Sequence, residues 1–124
     1  MIKGYTDIEQ SKELAKILPL NTADMHYATW TIFGGFIVSP NQGNTIEDLQ
    51  EDYGNQIIPC WSIAALLDIL PLEVSFNKQT DGVDTYYYIA SCDARYCDVY
   101  THRHINVVDA CYEMVIKLKE KNLI

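Results

Sequence analysis

The stretch IIPCWSIAALLDILP, Ile57 to Pro71, constrains the fold more than any other part of the chain, because Ser62 and Asp68 are its only conspicuous polar side chains. Pro59 suits the first turn of a helix, where its missing donor has no intrahelical partner to lose, and Pro71 falls just past the last turn. The pattern predicts a helix over Pro59 to Leu70, about 18 Å long at 1.5 Å per residue. A bilayer core is about 30 Å thick, so such a helix cannot cross a membrane. With almost no polar face it should be covered on most sides and form the buried centre of a small domain. Ala64 and Ala65 would let a neighbour approach closely, and Asp68 should emerge to solvent or meet a partner near the helix end.

The flanking sequence supplies the other elements. Thr6 and Glu9 have capping-box spacing, which starts a first helix carrying Ile8, Leu14, Ala15, Ile17 and Leu18 on one side until Pro19 stops it. The aromatic and β-branched run after Asp24 is interrupted by Gly34 and Gly35, which suit a two-residue hairpin turn between strands at Thr29 to Phe33 and Phe36 to Val38. Thr45 with Asp48 starts a short acidic helix that Gly54 would end. Leu72, Val74 and Phe76 alternate with Glu73, Ser75 and Asn77, the pattern of a strand with one buried face. Asp81 and Gly82 turn the chain into a partner strand over DTYYYIAS, and Tyr96 to Thr101 should add a third. Asn106 and Asp109 open a final helix whose stripe is Val107, Val108, Cys111, Met114, Val115 and Leu118. The order α-ββ-αα-βββ-α, with hairpin-linked strands, implies a single α+β domain in which an antiparallel sheet packs against helices.

At 124 residues the chain is about one domain long and can bury roughly two thirds of its unfolded surface without staples. The net charge is −8, and Asn41 to Asp84 holds eight carboxylates against Lys78 alone, a local balance of −7. Such a surface repels phosphate, which argues against nucleic acid as a partner. Lys117, Lys119 and Lys121 cluster only where a helix C-terminus favours cations. The opening residues MIKGYTDIEQ lack the apolar core of a secretory signal, so a cytoplasmic location is expected. Cys60, Cys92, Cys97 and Cys111 are then read as reduced thiols.

Two constellations offer chemistry. Cys60 followed by Trp61 at a helix start resembles the Cys-Trp pair of papain-like proteases, where the helix N-terminus lowers the thiol pKa. The glycine and serine that precede the nucleophile in that family are here Ile58 and Pro59, so Cys60 is read as a small buried hydrophobe. Its alternative is the nucleophile of a small hydrolase with His102 or His104. The segment CDARYCDVYTHRH offers Cys92, Cys97, His102 and His104 as zinc ligands, but the set is compressed, and alternation along a strand sends Cys97 and the two histidines to opposite faces. Tyr86, Tyr87, Tyr88, Tyr96 and Tyr100 could form a contact surface, with Tyr87 facing away from Tyr86 and Tyr88. No phosphate loop, Gly-x-Ser-x-Gly elbow or His-Glu-x-x-His motif occurs.

YTDIEQSKELAKILPL with Ala23, Asp24 and Met25, then IIPCWSIAALLDILP, then VVDACYEMVIKLKEKNLI, together resemble a group of short proteins encoded by gut anaerobic bacteria, their phages and mobile elements. The resemblance covers both ends and the middle of the chain and is weaker through the tyrosine-rich strands. Its motifs are caps, prolines and core positions, so it implies a fold and carries no reaction, cofactor or catalytic residue onto this sequence. The expected function is therefore a non-enzymatic accessory or interaction protein that presents an acidic, tyrosine-bearing surface to another protein. A self-associating dimer is one version of it.

Overall fold

The computed structural model describes residues 3–30, 35–53, 57–91 and 99–124. They form helices α1 (Ile8–Ile17), α2 (Ile46–Tyr53), α3 (Ile63–Ile69) and α4 (Val107–Glu120), with strands β1 (Met25–Trp30), β2 (Gly35–Pro40), β3 (Ile58–Cys60), β4 (Val74–Thr80) and β5 (Thr85–Ser91). This is the expected α+β class with antiparallel sheets. No helix among the described residues is long and apolar enough to cross a membrane. The chain divides into two compact units, Tyr5–Ala65, and Leu66–Ile124 with Lys3 and Gly4, and it passes from one to the other within α3.

In the Tyr5–Ala65 unit, β1 is the middle strand of the order β2-β1-β3, and α1 packs against β3. The helix expected from Pro59 starts four residues later than its sequence suggests. Ile58, Pro59 and Cys60 are extended and pair with Tyr27, His26 and Met25. Because β3 is an edge strand, Pro59 is tolerated there without a backbone donor. Ser62 then caps α3 by accepting the N–H of Ala65 at 3.2 Å, and Asp24 holds Ser62 in place through its backbone N–H (2.9 Å) and its hydroxyl. Nor is α3 covered on most sides: Ala65, Leu66 and Leu70 are buried, whereas Ala64, Leu67 and Asp68 face solvent. The buried anchor of this stretch is Trp61, whose indole N–H reaches Thr22 Oγ1 at 2.9 Å.

The first helix is capped one residue later than expected. Asp7 accepts the N–H of Gln10 at 2.8 Å while the Gln10 side chain accepts the N–H of Asp7 at 3.1 Å, a reciprocal box that an ionised carboxylate fills well. Thr6 is turned inward instead. The second cap is the expected one, with Thr45 and Asp48 bonding each other's N–H groups. The first strand begins four residues earlier than expected and the second extends past both expected ends: Met25 pairs with Pro40 and Trp30 with Gly35, so Gly35 belongs to the ladder rather than to a turn, while residues 31–33 of the expected first strand lie outside the described residues. Gly34 and Gly54 lie outside the described residues.

In the Leu66–Ile124 unit, β4 and β5 form a hairpin closed by Asp81, whose Oδ1 accepts the N–H groups of Val83 (2.9 Å) and Asp84 (2.8 Å). Gly82 supplies the positive φ of 91° that this turn requires. The expected third strand is present in part. Val99 to His104 runs along the far side of β5, with bridges Ala90 to Tyr100 and Tyr87 to His104; residues 92–98 lie outside the described set. The α4 stripe of Val108, Cys111, Met114, Val115 and Leu118 is buried as expected, joined by Ala110, with Val107 only half-buried. Asn106 occupies the N-cap position, but its side chain accepts the N–H of Lys3 at 3.3 Å instead of capping.

Candidate functional site

Cys60 is fully buried at the end of β3. Its thiol donates to the carbonyl of Thr6 at 3.5 Å and lies 3.7 Å from Thr6 Oγ1. Thr6 organises the whole neighbourhood: its hydroxyl bonds Ser11 at 2.7 Å and accepts the N–H of Trp61 at 3.2 Å, and its carbonyl also accepts the Tyr27 hydroxyl at 2.7 Å. Burial pushes the Cys60 thiol up, against the hydrogen bonds from Thr6, Ser11 and Tyr27 that favour the thiolate. Burial, followed by the neighbouring Cys60, likewise pushes the Tyr27 hydroxyl up. A nucleophilic thiol requires a lowered pKa and access, and this site gives Cys60 neither. Cys111, buried on α4, is pushed up to about 11 by burial.

The histidines belong to a different arrangement. Glu113 accepts His104 Nε2 at 2.7 Å, His102 Nδ1 at 2.9 Å, the backbone N–H of His102 at 3.0 Å and Lys117 Nζ at 2.9 Å. Burial would raise its carboxyl, but the donors from His104, Lys117 and His102 outweigh that and hold it at about 2. An ionised carboxylate only accepts, so both ring nitrogens that face it carry protons. Lys117 also donates to the carbonyl of Tyr100 at 2.7 Å and stands 5.5 Å from the centre of its ring. The cluster is a clamp that ties Tyr100–His104 to α4, with its carboxylate already saturated by donors. Cys92 and Cys97 lie outside the described residues, and among the described residues no three His, Cys, Asp or Glu side chains are arranged to hold a metal.

The tyrosines divide as alternation requires. Tyr86, Tyr88 and Ala90 share one face of the hairpin with Ser75, Asn77 and Gln79. Tyr87 and Ile89 share the other with Phe76 and Lys78, and this second face looks toward α4. Between that face and Val107 and Ala110 lies an apolar groove of about 240 Å³. Phe76 is 52% exposed, Leu72 98% and Val83 87%, so the hairpin and its approaches carry large apolar side chains in water.

The backbone of β4 is as informative as its side chains. Asp81 N–H donates to the Asp84 carbonyl, so Gln79, Asn77 and Ser75 direct their backbone groups toward β5 by alternation. The other side of β5 agrees, since Tyr87, Ile89 and Ser91 bond outward to the Val99–His104 segment. Val74, Phe76, Lys78 and Thr80 therefore present N–H and C=O groups at the outer edge of β4. Among the described residues no strand pairs with that edge.

Sequence reasoning passed over Glu113 and His26, and read Thr6 only as a helix cap. Glu113 and Lys117 did carry a signal, an i,i+4 charge pair on a helix flank. Nothing local marked Glu113 as the partner of two histidines about ten residues away. His26 lines a cleft of about 410 Å³ in the Tyr5–Ala65 unit, where its Nδ1 meets Asn41 Oδ1 at 2.8 Å. Asn41 is buried and donates its own amide to Ala23 O at 3.0 Å, which orients the pair. Comparison of the chain with protein-family models, with curated proteins and with solved structures gives no match.

Proposed function

We propose that this chain is a non-enzymatic accessory or protein-interaction domain, carried by gut anaerobes or their phages and mobile elements and acting in the cytoplasm. The observation that supports the reading is the β4–β5 hairpin, which sets Leu72, Phe76 and Val83 in solvent on and beside a strand whose outer edge pairs with no strand among the described residues. A strand edge left without a partner is a ready template for pairing with another chain, and exposed apolar side chains beside it add contact area. The nucleophile and base candidates support it from the other side: the Cys60 thiol is buried, and His102 and His104 are both bonded to the Glu113 carboxylate.

The test is affinity capture from the lysate of a gut anaerobe, with the wild-type chain and a variant carrying Leu72→Ser, Phe76→Ser and Val83→Ser. A protein retained saturably by the wild type and lost by the variant is the expected result. No saturable partner, or equal retention by both chains, overturns the reading.

A further inference from the structure

We infer that the cleft beside His26 binds a neutral, hydroxyl-rich ligand, a pyranose sugar, whose hydroxyls donate hydrogen bonds to His26 Nε2 and Asn44 Oδ1. The site belongs wholly to the Tyr5–Ala65 unit and does not rest on the hairpin reading above. His26, Ala28 and Ser39 enter it from one face of the sheet, since His26 pairs with Ser39 and Ala28 lies two residues along β1. Leu49 and Ile57, both buried, supply an apolar wall. Gln42 and Asn44 border the cleft from the turn after β2. That turn is tight: Asn44 N–H donates to Asn41 O at 3.0 Å, and both intervening residues have positive φ, 52° at Gln42 and 85° at Gly43. A glutamine rarely takes that conformation, and such positions gather where a ligand is held.

Asn41 sets the chemistry. It is buried, its N–H donates to Asp24 O at 3.1 Å and its amide nitrogen to Ala23 O at 3.0 Å, so Oδ1 is the atom left to face His26. An amide oxygen only accepts, which puts the ring proton on Nδ1 and leaves Nε2 of the neutral imidazole as a bare acceptor. Asn44 repeats the device. Its amide nitrogen donates to Asn41 O at 3.2 Å, leaving its Oδ1 as a second acceptor. Among the described residues nothing bonds either acceptor, so the site asks for a ligand that donates. Apart from His26, no ionisable side chain among the described residues lines the cleft: an anion would find no cation there and an ammonium no carboxylate. Sugar hydroxyls both donate and accept, which also suits Ser39 and Gln42, while the C–H face of a pyranose suits Leu49 and Ile57. The volume of about 410 Å³ falls within the range of small-molecule sites, roughly 300–1,000 Å³.

The test uses the full chain, isotope-labelled at nitrogen, at about pH 8, above the ordinary imidazole range. The probes are the methyl glycosides of glucose, galactose and mannose. Long-range imidazole NMR spectra of the free protein should show His26 protonated at Nδ1 alone. At least one glycoside should then shift His26 Nε2 and the Asn44 side-chain amide saturably. His26→Phe and Asn44→Ala should each weaken that binding by about fivefold or more, the worth of one neutral hydrogen bond. Because His26→Phe also takes away a partner of buried Asn41, the exposed Asn44→Ala variant and the wild-type spectra decide the matter should that variant fail to fold. Glucosamine and glucose phosphate are the charged controls. A proton on Nε2, no saturable shift with any glycoside, shifts confined to other residues, or undiminished binding by Asn44→Ala overturns the inference. So does binding of glucosamine or glucose phosphate alone, which would mark the cleft as a site for ions.

Discussion

Phe76 and Ile89 stand opposite each other in the β4–β5 ladder and on the same face of the hairpin, yet Ile89 is fully buried while Phe76 is 52% exposed. The helix below covers β5 and stops short of the outer strand. Position in the sheet, not residue type, therefore sets their energetic weight. Ile89→Ala should destabilise the protein by about 2–5 kcal/mol through lost burial and an unfilled cavity. Phe76→Ser should cost less than about 1 kcal/mol. Urea unfolding of both variants checks the contrast, and equal losses would show that Phe76 is covered in solution.

Glu113 makes stability depend on pH in a defined direction. Its folded carboxyl is held at about 2, below the usual 4.5, so the stabilisation is complete above about pH 4.5 and is lost as pH falls from there toward 2. Glu113→Gln should lower stability by roughly 1–2 kcal/mol at pH 7, a figure discounted for partial exposure. The deficit should shrink between pH 4.5 and 3. A constant deficit across that range would mean that the charge on Glu113 contributes nothing.

Thiol labelling separates buried from reactive cysteines. In a background with Cys92→Ser and Cys97→Ser, iodoacetamide at neutral pH should label Cys60 and Cys111 roughly a hundredfold more slowly than in the urea-unfolded chain. Fast labelling of Cys60 in the native protein would revive the small-hydrolase alternative with His102 or His104.

Thr6 is the polar keystone of the Tyr5–Ala65 unit. Thr6→Val would leave the N–H of buried Trp61 without its acceptor and Ser11 without its partner, a loss of about 2–3 kcal/mol. Thr6→Ser keeps the hydroxyl and should cost about 1 kcal/mol or less. Asp7→Ala, which removes only the helix cap, should fall near about 1 kcal/mol. Denaturation midpoints that fail to rank Thr6→Val as the most damaging would displace Thr6 from this role.

Wherever local chemistry sufficed, the elements were legible in the sequence. The cap at Thr45 and Asp48, the turn at Asp81 and Gly82, the stop at Pro19 and the buried stripe of α4 each depend on residues within a few positions of one another. The errors have a common origin. Ile58 to Cys60 became a strand because β1 offered it a ladder, and Thr6 turned inward because Trp61 needed its hydroxyl. The candidate thiol and the candidate histidines could be named from their residue types. Their roles followed from Thr6, more than fifty positions from Cys60, and from Glu113, one helix away from His102 and His104.

Capping, turn geometry and apolar spacing are short-range effects, so the order of residues marks most of the segments of this chain as helical or extended. Which faces are dry is a property of the fold as a whole. An alternating pattern shows that one side of a strand can be buried, but whether anything lies there to bury it depends on where a helix from elsewhere in the chain comes to rest.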